Sequence, residues 1–149
     1  MTEAPACTNM RVRKLARRIN ALYEEALEPA GITIGQFSLL AQLRRSRAIA
    51  IGALAELLGS DASTVSRLLR PLERDGLIAI AADAADRRAK AVRLTDAGAE
   101  RIRAARPLWE AAQASLEVQL GAERHAALRF LLDDAYSALA PAIAQKDAA

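Results

Sequence analysis

The chain holds one cysteine, one histidine and few aromatic side chains, 3% of its 149 residues, and each scarcity removes a class of protein. A single thiol, Cys7, cannot build an internal disulfide framework and agrees with a reducing compartment; only a bridge between two chains stays open. A lone His125 supplies neither a metal-ligand cluster nor the base of a Ser-His-Asp arrangement, and reads as a surface or pocket-edge residue. There is no glycine-rich phosphate loop and no nucleophile with a base beside it. The expectation is therefore a chain that is not an enzyme, with no catalytic residues, no metal and no cofactor. The opening MTEAPACTNMRVRK lacks the apolar centre of a secretory signal, and no apolar run approaches the roughly 18 residues of a membrane span. A cytoplasmic protein without membrane contact is expected.

What the chain does have is alanine and arginine. A hydrophobic content of 52% is ample for a core, and abundant alanine favours helix because it loses no side-chain entropy there. The formal net charge of +3 is unevenly placed: residues 47–106 carry +3 and residues 107–149 carry −3. A locally basic segment in a modestly charged chain suits contact with a polyanion.

Hydrophobic spacing divides the chain into helices. Val12, Leu15, Ile19, Leu22 and Ala26 alternate spacings of three and four, a seam on a first helix over about 9–28 whose other faces carry Arg11, Arg13, Lys14, Arg17 and Arg18. Pro29 and Gly31 end it. Thr33 then caps a second helix, Gln36 closes a capping box, and Ile32 can staple onto Phe37; this helix is expected to end near Arg47. Ile49 to Ile51 reads as a short strand, followed by a third helix over about 53–58 that lacks any capping side chain. Beyond residue 95, Thr95 caps a fifth helix that Pro107 should bend. Its stripe runs through Leu108, Ala112, Leu116 and Leu120, and a sixth helix carries Leu128, Leu131, Leu132, Ala135 and Leu139. One small core cannot absorb all these stripes, so a homodimer built on helices one, five and six is expected.

Residues 53–94 are the most informative. In ALAELLGSDASTVSRLLRPL, Ala55 is small where two helices cross, and Gly59 suits a turn with positive φ. Ser60 or Asp61 can cap a fourth helix, which turns Val65, Leu68, Leu69 and Leu72 inward. Ser63, Thr64, Ser66, Arg67, Arg70 and Arg74 are left on the opposite face, and Pro71 should kink or restart the helix. After Gly76, two short apolar runs flank Asp86, Arg87, Arg88 and Lys90, a hairpin with cations at its tip. The pattern is a helix-turn-helix with a basic β-wing, which suits the major groove and phosphates of duplex DNA; an arginine of the wing is free to enter the minor groove. An arginine stripe on a helix is usually only a solvated face, but this one lies on the second helix of the turn.

The strings LLRPLERDGLI and ADRRAKAVRLTDAG resemble the signature of the MarR family of bacterial winged-helix regulators, and the helix order on both sides agrees over nearly the whole chain. The resemblance implies a mainly α fold with a small β-wing: a single domain over 1–149, a DNA-binding lobe at 32–95 and a helical dimerisation region at 9–31 and 96–145. It implies a homodimer on a pseudo-palindromic operator of double-stranded DNA, acting as a ligand-responsive repressor. The implied base-reading group is Ser63, Thr64, Ser66 and Arg67, the wing-tip group is Arg87 and Arg88, and Arg70, Arg74 and Lys90 complete the DNA-binding set. Of the two wing arginines, one is expected to reach DNA and the other to fix the loop through Asp83 or Asp86. The implied effector is a small aromatic acid or phenol, with Tyr23, Phe37 and Trp109 as candidate pocket residues; ordinary packing is their plainer role. Ala79 and Ile80 stand where the family often has a basic residue, so one backbone contact is missing. Two alternatives accompany this picture: a thiol-based redox sensor acting through Cys7, and a winged-helix module that binds DNA without sequence preference or binds protein.

Overall fold

The computed structural model describes residues 7–144, which fall into two compact units dividing between Ala111 and Ala112. The first holds α1 (Thr8–Leu27), a 3-10 turn (Glu28–Ala30), α2 (Ile34–Gln42), β1 (Ile49–Ala50), α3 (Ile51–Leu57), α4 (Ala62–Arg74), β2 (Ile78–Ala82), β3 (Lys90–Leu94) and the opening of α5 (Asp96–Leu120). The second holds the rest of α5 and α6 (Ala122–Ala144). The fold is mainly α with a three-stranded antiparallel sheet in the order β1-β3-β2. Ile49 stands opposite Val92 on one side of β3, and Ile80 stands opposite Val92 on the other.

The core of the first unit draws on every element around the sheet. Leu27, Phe37, Leu39, Leu40, Leu54, Val65, Leu69, Leu72, Ile78, Val92 and Ala105 form one buried cluster. Burying a leucine fully is worth roughly 1.5–3 kcal/mol, so the set of fully buried leucines outweighs any surface contact. The capping box is present in both directions: Gln36 N–H donates to Thr33 Oγ1 at 3.1 Å, and Thr33 N–H donates to Gln36 Oε1 at 3.0 Å. Ile32 and Phe37 share the core, as a hydrophobic staple requires. At the end of the sheet Thr95 caps α5 through Gly98 N–H while its own hydroxyl donates to the Gly76 carbonyl at 2.7 Å.

Several local expectations are corrected. The second helix stops at Gln42 rather than near Arg47, because Leu43 is extended and buried and the Arg44 carbonyl accepts the Leu94 N–H. The Arg44 guanidinium then satisfies the Ala41 and Leu43 carbonyls. Joining the wing thus overrides a helical tail. The third helix starts two residues early, at Ile51, with Ala50 as an N-cap that offers no side-chain bond. Pro71 does not restart its helix. Pro71 lies in the last turn of α4, and Pro107 is carried inside the 25-residue α5. A single missing i→i−4 bond is bridged by those on either side, and α4 is further anchored by Leu69 and Leu72. His125 is buried rather than at a surface or pocket edge, in the first turn of α6, where its N–H donates to the Gly121 carbonyl at 3.0 Å.

Candidate nucleic-acid interface

The turn between α3 and α4 is shaped by backbone chemistry. Gly59 adopts φ 58°, a left-handed conformation costly for other residues, while Gly59 N–H and Ser60 N–H cover the Glu56 and Ala55 carbonyls. Ala55 is buried in the crossing of the two helices. Asp61 is the cap of α4: its Oδ1 accepts the Thr64 N–H at 2.8 Å.

That cap fixes which way α4 faces. Val65, Leu69 and Leu72 point into the core, so Ser63, Arg67, Arg70 and Arg74 lie exposed on the other side, with Thr64 and Ser66 half-buried beside them. Leu68, expected inside, is half-buried and packs on the core edge. Arg74 is engaged by Asp75 at 3.2 Å, an exposed pair of little energetic weight. The Thr64 hydroxyl donates to Asp61 Oδ2 at 2.7 Å and accepts from Arg67 Nη2 at 3.1 Å. The hydroxyl and backbone N–H of Thr64 hold the Asp61 carboxyl below its ordinary range.

The wing is ordered differently from expectation. Neither Arg87 nor Arg88 forms an ion pair among the described residues, so neither ties down the loop. The aspartates do so through the backbone. Asp83 Oδ1 accepts from Ala85 N–H and Asp86 N–H at 2.8 and 3.0 Å, and Asp86 Oδ1 accepts from Arg88 N–H at 2.9 Å. Short acidic side chains compete well for turn N–H groups, and once they do both guanidinium groups stay in solvent. Lys90 is exposed at the start of β3, paired across to Ala82.

A second basic group was not singled out from the sequence. Arg44, Arg45 and Arg93 line an open depression at the base of the wing with Ser46 and Asp96, and Asp96 pairs with Arg45 at 2.8 Å. The run Arg44-Arg45-Ser46-Arg47 was the available signal, masked by assigning it to the end of a helix. The hydrogen bond from the Thr64 hydroxyl to the second carboxylate oxygen of Asp61 was also missed, since only its capping was legible.

The candidate pocket residues separate. Phe37 and Trp109 stack with ring centroids 5.6 Å apart and planes 18° from parallel, Phe37 within the core cluster and Trp109 packed against it. Tyr23 is buried outside that cluster, and burial pushes its hydroxyl up. Cys7 is exposed at the N-cap of α1 and makes no side-chain cap bond. Among the described residues no group of acidic, histidine or cysteine side chains is arranged to hold a metal, and no helix is long and apolar enough to cross a membrane.

This arrangement of helix-turn-helix, wing and flanking helices recurs in known proteins. The profile of the MarR family matches residues 32–90. The M. tuberculosis transcriptional regulator MosR, solved in complex with DNA, is 32% identical with a TM-score of 0.74, over 89% of this chain and 98% of that one. The S. aureus MepR–DNA complex is 27% identical with a TM-score of 0.75, over 89% of this chain and 98% of that one. A mutant MarR from E. coli complexed with operator DNA is 26% identical with a TM-score of 0.76, over 85% of this chain and 91% of that one. The transcriptional activatory protein BadR of Rhodopseudomonas palustris is 29% identical over 103 residues, 67% of this chain, and the match spans 55% of that relative's length. With the family profile matched over residues 32–90 and 32% identity to MosR across nearly its full length, the chain belongs to the MarR family.

Proposed function

We propose that this protein is a sequence-specific, DNA-binding transcriptional regulator that works as a homodimer, represses from a pseudo-palindromic operator and releases it when a small aromatic acid or phenol binds. The carrying observation is the orientation of α4: its apolar side is consumed by the core, which leaves Ser63, Thr64, Ser66 and Arg67 on the side open to a major groove. Arg70, Arg74 and Lys90 neutralise phosphates, and Arg87 and Arg88 take the neighbouring minor groove. The solved DNA complexes of MosR, MepR and MarR support this assignment.

Residues 32–95 form the DNA-binding lobe in this proposal, and residues 9–31 and 96–145 the dimerisation region. The exposed apolar residues Val12, Phe130, Leu131, Leu132 and Leu139 support the second assignment. The effector site is proposed near Phe37 and Trp109, whose rings stack, with Tyr23 buried outside their cluster.

The deciding experiment is Arg67→Ala, with affinity measured on a duplex selected by the wild-type protein from a random library and on a scrambled duplex. A bidentate arginine–guanine contact contributes about 1–3 kcal/mol of discrimination, so preference should fall by that amount. Equal losses on both duplexes would reduce Arg67 to a phosphate contact, and no preference in the wild-type protein would favour a non-specific module. Repression is tested by a reporter downstream of the selected duplex, whose output should rise when the protein is removed.

A further inference from the structure

Asp61 does more than its capping role requires. Capping α4 takes one carboxylate oxygen, Oδ1, which accepts the Thr64 N–H at 2.8 Å. The second oxygen, Oδ2, accepts the Thr64 hydroxyl proton at 2.7 Å, and the same hydroxyl oxygen accepts from Arg67 Nη2 at 3.1 Å. The direction of this chain is forced by chemistry: a carboxylate can only accept, a guanidinium can only donate, and a hydroxyl has one proton to give. With that proton committed to Asp61, the lone pairs of Thr64 face Arg67. Reversal is not available.

From this geometry we propose that Asp61 is a positioning residue for DNA specificity, presetting the Arg67 guanidinium through the Thr64 hydroxyl before any duplex arrives. The proposal rests on reading Arg67 as a base contact. Arg67 is exposed, and a free arginine would lose its rotamer freedom on binding. Held by one bond, it has already lost part of that freedom, and four of its five N–H donors remain, enough for a two-pronged contact with a guanine edge. The fully exposed carboxylate also acts on binding as a charge, repelling the phosphates of every duplex alike. Positioning favours one sequence while repulsion weakens binding to all alike, so only positioning raises the ratio between operator and random DNA.

Asp61→Ser separates these roles from capping, because serine caps a helix about as well as aspartate but has no second oxygen for the Thr64 hydroxyl. Measured in the full chain on the selected and scrambled duplexes, this variant should melt like the wild type and bind the scrambled duplex as tightly or more tightly. Its preference for the selected duplex should fall roughly three- to tenfold, the worth of one ordinary hydrogen bond. Thr64→Val should lose preference while Thr64→Ser keeps it, and Asp61→Ser added to Arg67→Ala should cause little further loss of preference. If Asp61→Ser keeps full preference while Arg67→Ala loses it, the relay is overturned and the base contact stands. If the two substitutions lose preference additively, Asp61 acts other than through Arg67, which also overturns the relay. If Arg67→Ala leaves preference intact, the base-reading assignment fails and takes the relay with it.

Discussion

Helices α4 and α6 both carry apolar stripes at helical spacing, yet the protein treats them in opposite ways. In α4, Val65, Leu69 and Leu72 are at most 1% exposed, and what stays outside is polar or cationic. In α6, Phe130, Leu131, Leu132, Tyr136 and Leu139 are 48–69% exposed. A stripe reports that a surface needs cover and does not report whose atoms provide it. The α4 stripe is covered by the chain's own α2, α3 and sheet, so its residual face is free for function. The α6 stripe is an apolar surface larger than a scattering of single residues, of the kind that marks an interface.

The comparison is broken most severely by attacking the covered side. Leu69→Ala should cost about 4 kcal/mol of unfolding free energy, as a cavity in a closely packed core, measured by denaturant titration. A loss under about 1 kcal/mol would mean that α4 is less firmly anchored than its burial indicates. Gly98→Ala should come next. An added Cβ there would lie 2.0 Å from the Leu77 carbonyl oxygen and 2.7 Å from Leu94 Cδ1, so backbone must move, at about 3 kcal/mol. Because Leu77 and Leu94 flank the wing strands, that variant should also weaken DNA binding beyond its loss of stability.

On the uncovered side, Leu132→Asp should leave the helical content of a dilute protein unchanged while weakening the proposed homodimer by about 2 kcal/mol or more, since an unpaired carboxylate would be desolvated at its proposed interface. Sedimentation at several concentrations reads this directly. A variant that associates like the wild type would overturn the proposed interface on α6. The smallest effect expected is a pH dependence at the start of α4. The folded-state value of Asp61 is depressed below 3.8, so its contribution is present above that pH and fades as the pH falls through the lower folded value. The stability difference between wild type and Asp61→Ala should therefore shrink in that acid window, and a constant difference down to the lowest pH would show that the cap does not depend on the charge.

Much of this was legible in the residues. The Thr33–Gln36 box, the turn at Gly59, the short strand at Ile49 and the cap at Thr95 each follow from local chemistry, which is why they recur in the folded chain. What was misread had a non-local cause. Arg44 to Arg47 continues a helical pattern and leaves it only because Leu94, about a third of the chain away, offers an N–H to the Arg44 carbonyl. Arg87 and Arg88 sit beside aspartates that invite ion pairs, yet those carboxylates are spent on loop N–H groups. His125 follows Glu123 and Arg124, charged neighbours that suggest a surface position, yet it is buried.

By itself, the sequence determined the order and type of the elements, the exposed cationic side of α4 and the family, because periodicity, caps and turn residues act over a few positions and need no partner. Tertiary structure alone decided where α2 ends, that the Arg44 carbonyl meets the Leu94 N–H, and that the Arg45 guanidinium meets Asp96. Those outcomes depend on hydrogen-bond directions and distances that no spacing encodes. A buried or committed polar group must find its partner in three dimensions, and the partner is known only once the chain has closed on itself.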